Sequence, residues 1–357
     1  MLIILFITGL LFLIVGAEIL VRGASRMAAA LGMSPLIIGL TVVAFGTSSP
    51  ELSVSIKSAL SGQAGIAVGN VVGSNIFNVL FILGVTAIIA PLFVSQKLVR
   101  FDLPIMIAIS ILALLLSLDH TLSRLDGGIL FIGLVAYIGF LLYQGRKEQA
   151  AADKQNNHAS KSGRRSTTWL VNIVMVVTGL GLLVLGSQWL VESAIVFAKY
   201  LGVSELIIGL TIVAAGTSLP EVVTSIIAAI RGERDIAVGN VVGSNIFNIL
   251  GVLGVTGLIA PAGIEISSSV IGFDMLVMIA VALVCLPLFV TGGIISRMEG
   301  IVLLGYYVAY TVYLILASSH HAALPMFSAV MLLFVIPLTA LSVTLLALNE
   351  IRRKKAE

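Results

Sequence analysis

The chain has 357 residues, 59% of them apolar and only 10% charged, and its mean hydropathy is +1.15. Soluble domains carry charge at about a quarter of their positions, so this composition excludes one and points to a multi-pass membrane protein. The formal net charge of +3 is small, and the lone Cys285 excludes an intrachain disulfide.

The first apolar run, residues 2–21, is long enough to cross a bilayer at about 1.5 Å per residue. Its cations, Arg22 and Arg26, follow the run. A cleaved leader needs positive charge ahead of its apolar core, so the run reads as a retained span. Glu18 lies near its end and is expected to pair with Arg22 at i+4. Further spans are predicted near residues 35–59, 66–91, 101–118 and 127–143.

Residues 144–166 (QGRKEQAAADKQNNHASKSGRRS) are polar and aperiodic, which reads as a solvated linker. Spans resume near residues 169–191, 206–230, 236–261, 273–290 and 300–317. A run at residues 322–348 carries Pro325 and Pro337 and is expected to form an eleventh span. Asp102 and Asp274 stand near predicted helix starts, where a carboxylate favours the dipole and can cap.

Residues 36–84 and 206–254 are two copies of one sequence, with 33 identities in 49 positions and an unbroken run of 13 ending at Asn78 and Asn248. The repeat extends further, because Ser123-Arg124-Leu125-Asp126-Gly127 recurs as Ser296-Arg297-Met298-Glu299-Gly300. Each half therefore holds five spans, and an odd number inverts the second copy in the membrane, a known transporter plan. The predicted fold is an all-α polytopic membrane protein, an inverted 5+5 repeat with broken helices at its centre and an extra C-terminal span. The expected division is a first half at 1–143, a linker at 144–166, a second half at 167–317, and a last span with a basic tail at 318–357.

With the linker inside, 17 of the 20 Lys and Arg fall on inner segments, and only Lys57, Arg124 and Lys199 fall outside. That asymmetry predicts an external N-terminus with a cytoplasmic linker and C-terminus. Short loops and the lack of a large cytoplasmic domain point to a prokaryotic plasma membrane protein working as a monomer in the lipid bilayer, with no nucleic-acid partner.

The doubled motif carries the chemistry. In Gly46-Thr47-Ser48-Ser49-Pro50-Glu51 and Gly216-Thr217-Ser218-Leu219-Pro220-Glu221, proline removes a backbone N–H and crowds the preceding turn, so the helix should break. Carbonyls around Gly46 and Thr47 are expected to lose their helical partners, a state tolerated at membrane depth only in a protein-lined cavity. Charged side chains in mid-span cost a few kcal/mol and are functional by default. Here two of them, Glu51 and Glu221, occupy matching positions of inverted halves and should meet near the midplane. Two carboxylates repel, and a bound cation relieves them.

The following segments place Asn70, Ser74 and Asn78 on one helical stripe, mirrored by Asn240, Ser244 and Asn248. Gly69 and Gly73 form a GxxxG step expected to admit a neighbouring helix. Ser55 and Ser225, one turn past the glutamates, read as structural. Carboxylate, amide and hydroxyl oxygens suit Ca²⁺, and the lack of Cys or His in the repeats disfavours zinc or copper.

These paired motifs resemble the two alpha-repeats of the calcium/cation antiporter superfamily, the sodium/calcium exchanger family. The resemblance implies an antiporter, not an enzyme and without a resident cofactor, in which Ca²⁺ and Na⁺ occupy the site in turn. Carried over by motif, the ion ligands are Glu51, the Thr47 carbonyl, Ser48, Ser74 and Asn78 with Glu221, the Thr217 carbonyl, Ser218, Ser244 and Asn248. It also implies sliding of the first and sixth spans over the central bundle. Many exchangers place Asp where this chain has Asn78 or Asn248. The two glutamates alone then supply a formal charge of −2, enough for one Ca²⁺, and leave Na⁺ or H⁺ open as the counter-ion. From other classes, a passive channel would need a continuous pore, and an intramembrane metal enzyme would have to work with two glutamates alone.

Overall fold

The computed structural model describes residues 2–63, 65–155, 165–200, 214–290, 293–319 and 321–338. The apolar runs fold into long helices, since a helix pairs its backbone groups internally where no water is available. In order these are α1 (Leu2–Leu31), α2 (Pro35–Thr47), α3 (Ser49–Leu60), α4 (Gly65–Ile89), α5 (Leu98–Leu116) and α6 (Arg124–Gln155). The second series is α7 (Arg165–Tyr200), α8 (Leu219–Ile230), α9 (Arg234–Ile259), α10 (Val270–Phe289) and α11 (Arg297–Ser318), with a further apolar helix α12 (Leu324–Leu338). Among the described residues eight helices are long and apolar enough to cross a membrane, and α2 with α3 forms a ninth span bent by 42°.

The halves are interlocked. Two-residue strands β1 (Leu92–Phe93), β2 (Thr121–Leu122), β3 (Ile264–Glu265) and β4 (Ile294–Ile295) pair antiparallel as β1 with β4 and β2 with β3. Each half thus completes a strand pair with the other, as a pseudo-two-fold requires. The recurring Ser-Arg-x-acid-Gly motif starts α6 and α11. Ser296 and Glu299 form a full capping box, and Ser123 and Asp126 bond in the same reciprocal way.

Helices α1 and α7 run antiparallel against each other through facing glycines. A Cβ on Gly9 would come within 2.8 Å of the Gly186 carbonyl oxygen, and one on Gly16 within 2.9 Å of that of Gly179. The backbones are therefore in direct contact. Much of the remaining surface of this pair is apolar and exposed, as at Ile3, Ile7, Leu170 and Val177.

Three expectations change. Helix α1 runs on to Leu31. The predicted linker is helical at both ends, because α6 continues to Gln155 and α7 begins at Arg165; residues 146–152 are mostly strong helix formers, so nothing stops the helix. Asp102 and Asp274 do not cap. Each lies inside its span as the last residue of a π-helical turn, and the Leu103 amide is already bonded to the Leu98 carbonyl. With no free amide to accept, Asp102 takes the Tyr137 hydroxyl at 3.0 Å and Asp274 that of Tyr310 at 2.8 Å. Glu18 pairs with Arg22 as expected, and also with Arg231 beyond the end of α8. The start of the second repeat (206–213, with Thr211), the middle of the linker and the tail at 352–355 lie outside the described residues.

Candidate ion-binding site

The break predicted at each proline is present. Ser48, at φ −81° and ψ 9°, joins α2 to α3, with Pro50 and Glu51 in the first turn of α3. Ser218, at φ −88° and ψ 8°, stands in the same relation to Pro220 and Glu221 in α8. Both glutamates are buried, at 0% and 1% exposure.

The freed carbonyls are not bare. Ser49 Oγ donates to the Gly46 carbonyl at 2.8 Å. In the second repeat Leu219 replaces that serine, and Ser187 Oγ of α7 donates to the Gly216 carbonyl at 2.7 Å instead. The first proline break is closed locally and the second by a neighbouring helix.

The two halves then reach across to each other. Ser48 Oγ donates to Glu221 Oε1 at 2.9 Å, and Ser218 Oγ donates to Glu51 Oε1 at 2.9 Å. Ser218 Oγ also meets Ser74 Oγ at 3.2 Å. Each glutamate is thus held by one oxygen from the opposite half, and neither forms an ion pair among the described residues. Asn70 and Asn240 tie each broken helix to the next one. Their amide nitrogens donate to the Glu51 and Glu221 carbonyls at 3.2 and 3.4 Å, and to Ser55 and Ser225 Oγ at 3.0 Å each. This gives the two later serines the structural role expected of them.

Buried oxygens without a partner mark what this arrangement can do. They include Glu51 Oε2, Glu221 Oε2, Asn78 Oδ1, Asn248 Oδ1, Ser244 Oγ and Thr217 Oγ1. A buried polar group left unpaired costs about 1–3 kcal/mol, more when charged. These six oxygens sit on residues of the doubled motif and are hard donors of the kind Ca²⁺ takes. Thr47 is different, since its hydroxyl faces Asn240 Oδ1 at 3.1 Å.

Sequence reasoning missed two features. Asn75 and Asn245 are buried beside Asn78 and Asn248 and bond to them across the halves; the identical GSNIFN runs were the available signal. Both Asn78 and Asn248 also open a π-helical turn, Asn78–Leu83 and Asn248–Leu253, a distortion that recurs at functional sites. At Gly69 and Gly73 a Cβ meets nothing within 4 Å among the described residues, and most of the stretch of the second repeat that matches α2 lies outside them. Their copies Gly239 and Gly243 do pack tightly, on Leu36 and Leu40 of α2.

A helical membrane bundle of two interlocked, repeated halves, with broken helices and paired carboxylates at its centre, is a secondary transporter. The family model described as "Sodium/calcium exchanger protein" matches residues 1–144 and 171–316, so the chain belongs to the sodium/calcium exchanger family of antiporters. Among its relatives, the sodium/calcium exchanger MaX1 of Methanosarcina acetivorans is 37% identical over 86% of this chain and 96% of its own length. The inner membrane protein YrbG of Escherichia coli is 40% identical over 73% of this chain and 81% of its own. A solved structure of the sodium-calcium exchanger NCX_Mj, soaked with zero Na⁺ and Ca²⁺, superposes with a TM-score of 0.75 at 31% identity, over 88% of this chain and 98% of that one.

Proposed function

We propose that the protein exchanges Ca²⁺ for Na⁺ across a prokaryotic plasma membrane, by alternating access at the paired glutamates. The observation that carries this reading is the crossed serine–glutamate arrangement, which leaves one buried oxygen on each of Glu51 and Glu221 without a partner. A single divalent cation balances the two carboxylates. Thr47, Ser48, Ser74 and Asn78, with Thr217, Ser218, Ser244 and Asn248, complete the ligand set. The tight glycine-lined contact of α1 with α7 supports their movement as one body over the central bundle. NCX_Mj, whose structures concern extracellular ion exchange and binding-site occlusion with Na⁺, Ca²⁺ or Sr²⁺, lends the reading its precedent.

The test is ⁴⁵Ca²⁺ uptake into proteoliposomes driven in turn by an outward Na⁺ or an outward H⁺ gradient. Uptake is expected with Na⁺ and is abolished in Glu51→Gln and in Glu221→Gln. Uptake driven by H⁺ alone makes the protein a Ca²⁺/H⁺ antiporter, with the glutamates carrying the proton. Wild-type uptake by either Gln variant overturns the site.

A further inference from the structure

The four asparagines Asn75, Asn78, Asn245 and Asn248 are each at most 3% exposed. Their hydrogen bonds form two relays that start from main-chain carbonyls. A carbonyl only accepts, so the group facing it must be a donor. Asn75 Nδ2 faces the Asn245 carbonyl at 3.4 Å. That fixes the Asn75 amide, and its oxygen points the other way, where it accepts Asn248 Nδ2 at 3.2 Å. Facing an acceptor fixes Asn248 with its nitrogen toward Asn75, and its Oδ1 is left buried with no partner among the described residues.

The mirror relay runs through the other half. Asn245 Nδ2 donates to the Asn75 carbonyl at 3.3 Å, Asn78 Nδ2 donates to Asn245 Oδ1 at 2.9 Å, and Asn78 Oδ1 is left bare. The amide nitrogens of Asn75 and Asn245 also reach Met278 and Met106 Sδ, both at 3.6 Å, so a sulfur acceptor guards each orientation. A reversed amide at Asn75 or Asn245 would set its oxygen against both a carbonyl and a sulfur.

We infer that Asn75 and Asn245 are positioning residues, which force the amides of Asn248 and Asn78 to present oxygen, never nitrogen, as cation ligands. The inference rests on the ion site proposed above and adds its orientation mechanism. Each half sets the ligand of the other, since Asn75 of the first repeat governs Asn248 of the second. Without the relay, an asparagine amide can turn its NH₂ toward the cation and lose the ligand.

The experiment is equilibrium ⁴⁵Ca²⁺ binding to the purified full-length protein in Na⁺-free detergent solution, with thermal melting to verify folding. Single variants Asn75→Ala, Asn78→Ala and Asn248→Ala are compared with the doubles Asn75→Ala/Asn248→Ala and Asn75→Ala/Asn78→Ala. Loss of a group that orients a metal ligand weakens binding by roughly 10–100-fold, and Asn75→Ala is expected to do so. Groups that act through one shared contact are non-additive. Adding Asn75→Ala to Asn248→Ala should therefore leave the affinity unchanged, while adding it to Asn78→Ala should multiply the two losses, although Asn78 is nearer in sequence.

The Ala substitution keeps the Asn75 carbonyl, so the mirror relay stays intact. If Asn75→Ala does not fold, Asn75→Gln displaces the amide by one methylene and should give the same crossed pattern. Asn75→Ala binding within twofold of wild type, or equal additivity in both doubles, overturns the inference while the glutamate site stands. Wild-type protein that binds no Ca²⁺, or Glu51→Gln that binds it as tightly, overturns the site reading and this inference with it.

Discussion

Ser48 and Ser218 each hold the glutamate of the opposite half, through single bonds of 2.9 Å. A hydrogen bond to a charged group contributes roughly 1.5–3 kcal/mol, and here it also aims the carboxylate. Ser48→Ala should release Glu221, and Ser218→Ala should release Glu51. Each is expected to raise the Ca²⁺ concentration for half-maximal uptake by about tenfold or more, as loss of a ligand's orienting partner does. Titration of uptake in proteoliposomes reads this directly, and an unchanged half-saturation point in both variants would remove the serines from the site. The same scale explains the aspartates. Asp102 and Asp274 read as caps near helix starts, but their tyrosine partners lie 35 and 36 residues away on other helices, which no local pattern announces.

Among the elements, the pair α1 and α7 stands apart because its contact is backbone on backbone. The proline breaks were legible from Pro50 and Pro220, since proline acts on its own turn. How the broken ends are closed was not, because Ser187 of α7 reaches the Gly216 carbonyl only after the helices dock. Side chains larger than hydrogen at Gly16 must force α1 and α7 apart, as a Cβ would meet Gly179 oxygen and Leu183 nitrogen at 2.9 Å each. Overpacking of this kind typically costs about 1–3 kcal/mol. Gly16→Leu is expected to lower the melting temperature of the detergent-solubilised protein. Gly181→Leu, on α7 with nothing among the described residues within 4 Å of its Cβ position, should melt close to wild type. Equal melting of the two variants would show that the glycine contact is dispensable.

At the level of the whole molecule, charge bias and helix order set the predicted orientation. The sole native thiol, Cys285, is buried, so single-cysteine labelling has a quiet background in Cys285→Ser protein. Lys57→Cys should react with a membrane-impermeant maleimide added to intact cells, and Arg231→Cys should react only after the membrane is opened. The reverse pattern would invert the proposed topology. The strand pairs β1 with β4 and β2 with β3 add a second consequence of the interlocked halves, for neither half completes a pair by itself.

The long spans among the described residues, the doubling, the breaks at Pro50 and Pro220, and the two glutamates were legible from the residues alone. Those features are local: a run of apolar residues, a ring without an N–H, and a carboxylate where water is scarce each act within a turn or two. Which oxygen serves which partner was settled by the docking of the two halves. Ser48 meets Glu221 across 173 residues, Ser218 meets Glu51 across 167, and the asparagine relays span 167 to 173. Such bonds exist because two inverted copies dock face to face, and a repeat of identical residues does not say which copy will satisfy the other's donors until the halves are packed.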